Sequence, residues 1–329
     1  MDTLITKAEV SSVSFVYDAV IVGGGMAGLQ ASIQLGRYRR QVMVIDAGDG
    51  RSALCRMYRN VLGFPDGISG ETLRKSGQAQ AETYGIQFVR GRAERAERNS
   101  DGTFRVSFQV LGGTGRDAEV VSSALLLATG VKDRLPPLPS LLPCLGLSVF
   151  VCPDCDGYET AGKRTLVLGS GNTGARMVKA LQYFTDELIY VNHEREPMDQ
   201  ELHDSLHAAG VDVVQGAIRE VLTAGDPSEG RFAGVLLEGG ARIEGERGFI
   251  AFGGNEVRTD LARMLGAERL ENRHVVTDPR SKMSSVPGLW VAGDAGAHSE
   301  QLTIAVGEGQ QAAIWMHKWL LQQTEGHRH

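Results

Sequence analysis

Ala19-Val20-Ile21-Val22-Gly23-Gly24-Gly25-Met26-Ala27-Gly28 is the stretch that decides the fold. Four apolar residues without alternation predict a strand covered on both faces. Gly23, Gly25 and Gly28 then fit G-x-G-x-x-G, and a helical pattern follows through Tyr38, with small Ala27, Gly28 and Ala31 allowing close packing. Gln41 to Ile45 predicts a second buried strand, and Asp46 stands at its carboxyl end, roughly 20 residues beyond the loop, where a ribose contact belongs. Gly23 permits the tight turn, Gly25 admits a pyrophosphate to the backbone, and Gly28 lets helix meet strand. Met26 and Ala27 form the first helical turn, whose N–H groups and positive dipole end face a phosphate. This β-α-β unit predicts dinucleotide binding.

The pattern returns later in the chain. Thr165-Leu166-Val167-Leu168 leads into Gly169-Ser170-Gly171-Asn172-Thr173-Gly174, a helix to about Phe184, and a strand at Leu188-Ile189-Tyr190-Val191. Two such units predict an α/β protein with two Rossmann-like, doubly wound nucleotide-binding domains. Between them, Phe104 to Leu111 and Glu119 to Leu127 read as strands around Gly112-Gly113-Thr114-Gly115, followed by Ala128-Thr129-Gly130 and the proline-rich Leu135–Pro139 connection. The last third contains two further glycine-bounded apolar stretches, Gly248–Gly253 and Gly288–Asp294. The spacing predicts a closing helix from Gly307 to Gln322 with Ala312, Trp315, Met316, Trp319 and Leu320 on a core or interface face.

With 329 residues the chain has room for about two domains of ~100–200 residues. Its formal charge of −6 argues against a nucleic-acid or anionic-membrane surface. No apolar stretch approaches the ~18–20 residues of a membrane span. Met1 to Phe15 lacks a signal-peptide pattern, so a cytoplasmic location is expected. Four cysteines cannot form the disulfide framework of a small secreted domain. There is only one C-x-x-C, so no zinc or other metal site is expected. His203 and His207 share a helical spacing but lack a third ligand, and the His327-Arg328-His329 tail carries no assignment.

Phe150-Val151-Cys152-Pro153-Asp154-Cys155-Asp156-Gly157-Tyr158-Glu159 is the most informative stretch chemically. Cys152 and Cys155 can close a small disulfide ring and reopen it with little rearrangement. Asp156 can move the proton that thiol–disulfide exchange requires if burial raises its pKa. Between two nucleotide folds, this predicts redox activity over buried structural thiols or half a metal site. The second glycine loop is less complete: Asn192 stands where the carboxylate would be, and His193-Glu194-Arg195-Glu196 surrounds one arginine with two acids, which partly repels a 2′-phosphate.

These residues resemble the low-molecular-weight thioredoxin reductases and their flavoprotein relatives. The order matches from about Tyr17 to Leu321: the first glycine loop, the Asn60 to Gly70 turn, Ala128-Thr129-Gly130, C-x-x-C-D-G, the second glycine loop, and Gly293-Asp294 with Gln301 before a glycine-rich helix start. The resemblance implies one FAD domain in two parts, 1–130 and 248–329, with a dithiol and NAD(P)H-binding-like domain, 131–247, inserted between them. It implies FAD on Gly23, Gly25, Met26, Ala27, Gly28 and Asp46, with Asn60, Ala128, Thr129, Gly130, Gly293, Asp294 and Gln301 completing the site. A second nucleotide would lie on Gly169, Gly171, Asn172, Thr173, Gly174, His193 and Arg195. The family's division of labour turns Cys155 to the flavin and Cys152 to the partner disulfide, with Asp156 as acid. A homodimer and a thioredoxin-fold protein or small disulfide as partner follow from the same resemblance.

The departures concern the donor. The family's basic H-R-R-x-x-x-R signature is met only by His193 and Arg195, Pro197-Met198-Asp199 occupies the region of a further arginine, and Glu300 stands where an arginine often precedes Gln301. They argue against NADPH. The expected function is transfer of electrons through FAD to the Cys152/Cys155 dithiol and on to a thioredoxin-like protein disulfide. The alternatives are a ferredoxin-linked or donor-unknown disulfide reductase, a dithiol oxidase using oxygen, and a flavin-binding redox sensor. Cys55 and Cys144 read as small buried hydrophobes and His298 as a solvated loop histidine.

Overall fold

In the computed structural model, residues 16–112 and 115–326 are described; Gly113 and Thr114, the first fifteen residues and the His327-Arg328-His329 tail lie outside them. In chain order the first half contains β1 (Val16–Val22), α1 (Met26–Arg37), β2 (Val42–Asp46), α2 (Arg51–Leu54), α3 (Gly70–Glu82), β3 (Gln87–Arg98), β4 (Phe104–Val110), β5 (Asp117–Leu127), β6 (Val131–Lys132), β7 (Val149–Phe150) and α4 (Pro153–Asp156). The second half contains β8 (Thr165–Gly169), α5 (Gly171–Leu181), β9 (Leu188–Asn192), α6 (Gln200–Ala208), β10 (Asp212–Gln215), β11 (Ile218–Thr223), β12 (Phe232–Leu237), β13 (Arg242–Glu244), β14 (Arg247–Ala251), β15 (Glu256–Val257), α7 (Asp260–Met264), β16 (Leu289–Val291) and α8 (Leu302–Gly326).

The chain divides into two compact units. The first comprises the chain up to Gly48, Gly77–Gly130 and Arg258 onward; the second comprises Asp49–Ser76 and Val131–Val257. In the first unit β1 pairs in parallel with β2 and β5, β2 with β3, and β5 with β16. The apolar run Ala19–Ile21 at its centre is fully buried, as a strand covered on both faces must be. The far halves of β3 and β5 leave the parallel layer and pair antiparallel with β4. α1 and α8 pack on one face of the sheet, and their crossing requires Gly309, because a Cβ there would lie 2.8 Å from the Ala27 carbonyl carbon.

The second unit is built on a parallel sheet in the order β10-β9-β8-β14-β7, with the antiparallel β11-β12-β13 beside it. Its core joins the sheet to Leu141, Cys144, Phe232 and Val235, and the proline-rich connection contributes Leu135 and Leu138 to it. Asp49–Ser76 belongs to this unit through contacts such as Arg51 with Asp133 and Arg56 Nη1 donating to the Pro143 carbonyl at 2.7 Å.

Two sequence expectations differ from the structure. The closing helix starts at Leu302 rather than Gly307. Ala312, Met316 and Leu320 are buried, but Trp315 is only half-buried, with Arg280 and Lys318 over its ring at 5.1 and 4.4 Å. A cation gains more from the ring's negative face than it would in an apolar seam.

Candidate active site

In the first unit the glycine loop follows β1 as the sequence requires. Gly23 has φ 109°, and a Cβ there would run into the carbonyl of Ala128, which itself is held by its N–H donating to Val22 O at 2.8 Å. Gly25 precedes α1 without a capping side chain, and no acid stands in the helix's first turn. The amides of Met26, Ala27 and Gly28 therefore meet no built-in anion, and the helix dipole is left to act on a ligand. Asp46 ends β2, and its carboxylate accepts the Gly24 N–H at 3.0 Å. Glycine backbone, an uncapped helix start and a carboxylate at the next strand end fit the pyrophosphate and ribose of a dinucleotide such as FAD.

Thr129 Oγ1 donates to the Arg258 carbonyl and Gly130 takes φ 66°, which fixes the turn after β5. Gly293 and Asp294 follow β16, and Gln301 directly precedes α8. All of these belong to the first unit, whereas Asn60 is an exposed residue of Asp49–Ser76 in the second.

A buried ionic cluster that the sequence reading missed stands at the Gly293–Asp294 turn. Glu308 accepts the Gly293 N–H at 3.0 Å, lies 2.8 Å from Lys282 Nζ and receives His298 Nε2 at 2.7 Å. His298 is thus not a solvated loop residue. Its hydrogen bond to Glu308 raises its pKa to about 9 against the opposing effect of burial. Burial alone would raise the Glu308 carboxyl, but His298 and Lys282 outweigh it and bring the group below its usual range. The sequence signal was an acid between two glycines, Gly307 and Gly309, on an otherwise apolar helix face. Glu300 lies 3.2 Å from His274 Nε2, so it has an acid's partner where an arginine was looked for.

In the second unit Cys152 and Cys155 form a disulfide with their Cα atoms 5.3 Å apart. Pro153 occupies the first position of the four-residue α4, where its missing N–H costs nothing, and Cys152 Sγ accepts the Cys155 N–H at 3.2 Å. Both cysteines are half-buried. Burial pushes the Asp156 carboxyl up to about 7; Arg59 works against this and Glu159 with it. Arg59 and Glu159 themselves pair at 3.7 Å. An acid titrating near neutrality beside a dithiol can deliver and recover a proton. Burial raises the Cys55 thiol to about 11, with the Asp156 charge adding to the effect, and Cys144 is fully buried, so neither is activated as a thiolate.

The second glycine loop lines a cleft of about 500 Å³ formed by Arg134, Ser170, Gly171, Asn172, Thr173, Glu194, Glu196, Pro197 and Phe252. Gly169 ends β8, and α5 begins at Gly171 without a capping side chain or an early acid. Gly174 is required because its Cα faces the ring of Tyr190, whose hydroxyl donates to Gly171 O at 2.8 Å. His193 and Arg195 do not line the cleft. His193 Nδ1 accepts the Ile218 N–H at 2.8 Å, and burial lowers its pKa, so it is a neutral structural group. Arg195 occupies a left-handed turn position with φ 57°. Among the described residues no cluster of three metal-ligating side chains occurs, and no helix is long and apolar enough to cross a membrane.

The sequence profile of the pyridine nucleotide-disulphide oxidoreductases matches residues 17–309. A thioredoxin reductase of Leptosphaeria maculans is 28% identical over 90% of this chain and 92% of its own. The thioredoxin reductase of Aquifex aeolicus is 25% identical over 93% and 94%. The crystal structure of HlmI superposes with a TM-score of 0.81 at 28% identity, covering 96% of this chain and 97% of that one.

Proposed function

The chain belongs to the pyridine nucleotide-disulphide oxidoreductase family, and from that premise we propose that it is a thioredoxin-reductase-like flavoenzyme passing electrons through FAD to the Cys152/Cys155 dithiol and on to the disulfide of a thioredoxin-fold protein. The observation that carries this reading is the half-buried Cys152–Cys155 disulfide with the Asp156 carboxyl poised near pH 7 beside it.

The first unit holds FAD, with Gly23, Gly25, Met26, Ala27, Gly28 and Asp46 at its pyrophosphate and ribose and Ala128, Thr129, Gly130, Gly293, Asp294 and Gln301 around the rest. When bound, FAD supplies the exchange of two electrons between a donor and the dithiol. Opening the disulfide consumes two electrons and two protons and leaves Cys152 and Cys155 as thiols. The Cys152 thiolate then attacks one sulfur of the partner disulfide and expels the other, forming a mixed disulfide. Cys155 attacks Cys152 Sγ, re-forms the intramolecular bond and releases the second partner thiol. Asp156 gives its proton to the departing thiolate in one direction and takes it from the attacking thiol in the other. The second unit holds the donor nucleotide at Gly169, Gly171, Asn172, Thr173 and Gly174. A homodimer in the cytoplasm completes the reading.

The test uses the FAD-loaded protein, reduced anaerobically with dithionite and mixed with an oxidised thioredoxin. Stoichiometric appearance of thioredoxin thiols is expected from the wild type and loss of it from Cys152→Ser and Cys155→Ser, with flavin content unchanged. Full transfer by both variants would overturn the assignment. Peroxide production from a small dithiol and oxygen, without transfer to thioredoxin, would instead establish a dithiol oxidase.

A further inference from the structure

The cleft of the second unit carries a selectivity device that the glycine motif alone does not disclose. We propose that Glu194, held by Arg134, makes this cleft select a dinucleotide with a free ribose 2′-hydroxyl, of the NADH class, over one with a 2′-phosphate. This rests on the reading that the second unit binds the donor nucleotide.

Arg134, Glu194 and Glu196 are the charged side chains lining the cleft. Together they carry a net single negative charge. The guanidinium of Arg134 is committed: Nη2 pairs with Glu194 Oε1, Nη1 lies 3.3 Å from Oε2, and the group sits over the ring of Phe252 at 6.0 Å. A fork-on-fork pair of this kind fixes both partners in one geometry. Burial opposes ionisation of Glu194, but its hydrogen bonds to Ser170 and Arg134 prevail and hold it below the usual carboxylate range. It is therefore an acceptor at neutral pH, as a ribose hydroxyl requires.

A 2′-phosphate would meet a different balance. To engage it, Arg134 must leave Glu194, and the freed carboxylate then faces the phosphate across the same cleft. A carboxylate beside a ribose diol accepts hydrogen bonds, whereas beside a phosphate it repels. Asn192 cannot take the ribose role instead. Its Oδ1 accepts the Gly171 N–H at 3.1 Å, and its Nδ2 donates to Glu196 O at 2.7 Å and to Gln215 Oε1 at 2.9 Å. Its polar atoms are engaged in closing the loop.

Isothermal titration of the oxidised, FAD-loaded protein with ADP-ribose and with 2′-phospho-ADP-ribose tests the inference without any turnover. ADP-ribose is expected to bind at least about tenfold tighter, the scale of one charge-assisted hydrogen bond gained or lost. Glu194→Arg should abolish or reverse that preference. Arg134→Ala, which removes the cleft's cation and keeps the carboxylate, should preserve it. Equal or tighter binding of the phosphorylated ligand by the wild type, or an unchanged ratio in Glu194→Arg, would overturn the inference. Loss of preference in Arg134→Ala would overturn the assignment to Glu194. Binding of neither ligand would overturn both this selectivity and the nucleotide site it rests on. The dithionite-driven transfer to thioredoxin would then still report separately on the dithiol.

Discussion

Replacing His298 by glutamine should remove a stabilisation that exists only at low and neutral pH. His298 has an ordinary pKa of 6.5, and its hydrogen bond to the buried Glu308 carboxylate raises it to about 9. The folded protein therefore holds this proton more tightly than the unfolded chain. The resulting stability is present in full below about pH 6.5 and is lost as pH rises through 9. At ~1.4 kcal/mol per pKa unit the shift corresponds to about 3 kcal/mol. For a domain of ~150–250 residues, about 2–4 °C of Tm accompanies each kcal/mol, so wild type and variant should differ by roughly 6–12 °C at pH 6. Lys282, at 2.8 Å from Glu308, keeps the variant's carboxylate paired, so the variant should still fold. The assay is thermal unfolding of both FAD-loaded proteins at intervals from pH 6 to pH 10. The gap should narrow steadily above pH 7 and become small by pH 10. A gap that stays constant across that range would show that His298 contributes packing alone, and would refute the ionic account of the cluster.

Asp156→Asn should lower dithiol transfer to a protein disulfide by about 10²–10⁴-fold, the usual worth of a positioned general acid or base. The wild-type rate constant for proton donation should fall as pH rises through about 7, where this buried carboxyl titrates, and the variant should lack that limb; a limb kept in the variant would assign the ionisation elsewhere. Gly23→Ala places a methyl group against the Ala128 carbonyl at a φ of 109° that L-residues avoid. Visible flavin absorbance per chain in the purified variant should be largely lost, and full flavin retention would show that the loop does not cradle the cofactor.

Both glycine loops were legible because each combines two signals of local origin, an unbroken apolar run and glycines at fixed offsets. Ala19–Val22 and Thr165–Leu168 became β1 and β8, and the helices after them start where the loop spacing places them. The dithiol was legible for the same reason, since Cys152, Pro153 and Cys155 define one helical turn by themselves. What failed to show was whatever depends on distant partners. Asp49–Ser76 joins the second unit through pairings such as Arg51 with Asp133, which no local pattern announces. His298 looked solvated because the groups that hold it, the Gly293 carbonyl before it and Glu308 of α8 after it, are not announced by any local pattern. The start of α8 was placed late because Gly307 and Gly309 weaken a helix taken in isolation. Packing against α1 favours glycine at the second of these positions, so a tertiary contact outweighs the local propensity.

The two loops share a backbone plan but close differently, and this explains why acids gathered at only one of them. In the first, the strand-end residue is Asp46, whose carboxylate takes the Gly24 N–H. In the second, the strand-end residue is Asn192, fully buried, whose amide both accepts from Gly171 and donates to Glu196 O and Gln215. An aspartate there would lose both donors and leave a buried charge facing two oxygen acceptors, so the amide is what ties the following turn to the strand end. With the strand end engaged internally, the proposed recognition of a ribose would have to come from the turn itself. The residues that turn brings into the cleft are Glu194 and Glu196. Arginine at position 194 would set two guanidinium groups against each other, since Arg134 already reaches that point. Arg134 and Glu194 thus form one unit: under the proposed selectivity, the cation would neutralise the carboxylate enough to keep it beside an anionic dinucleotide, and the carboxylate would keep the cation from serving a 2′-phosphate.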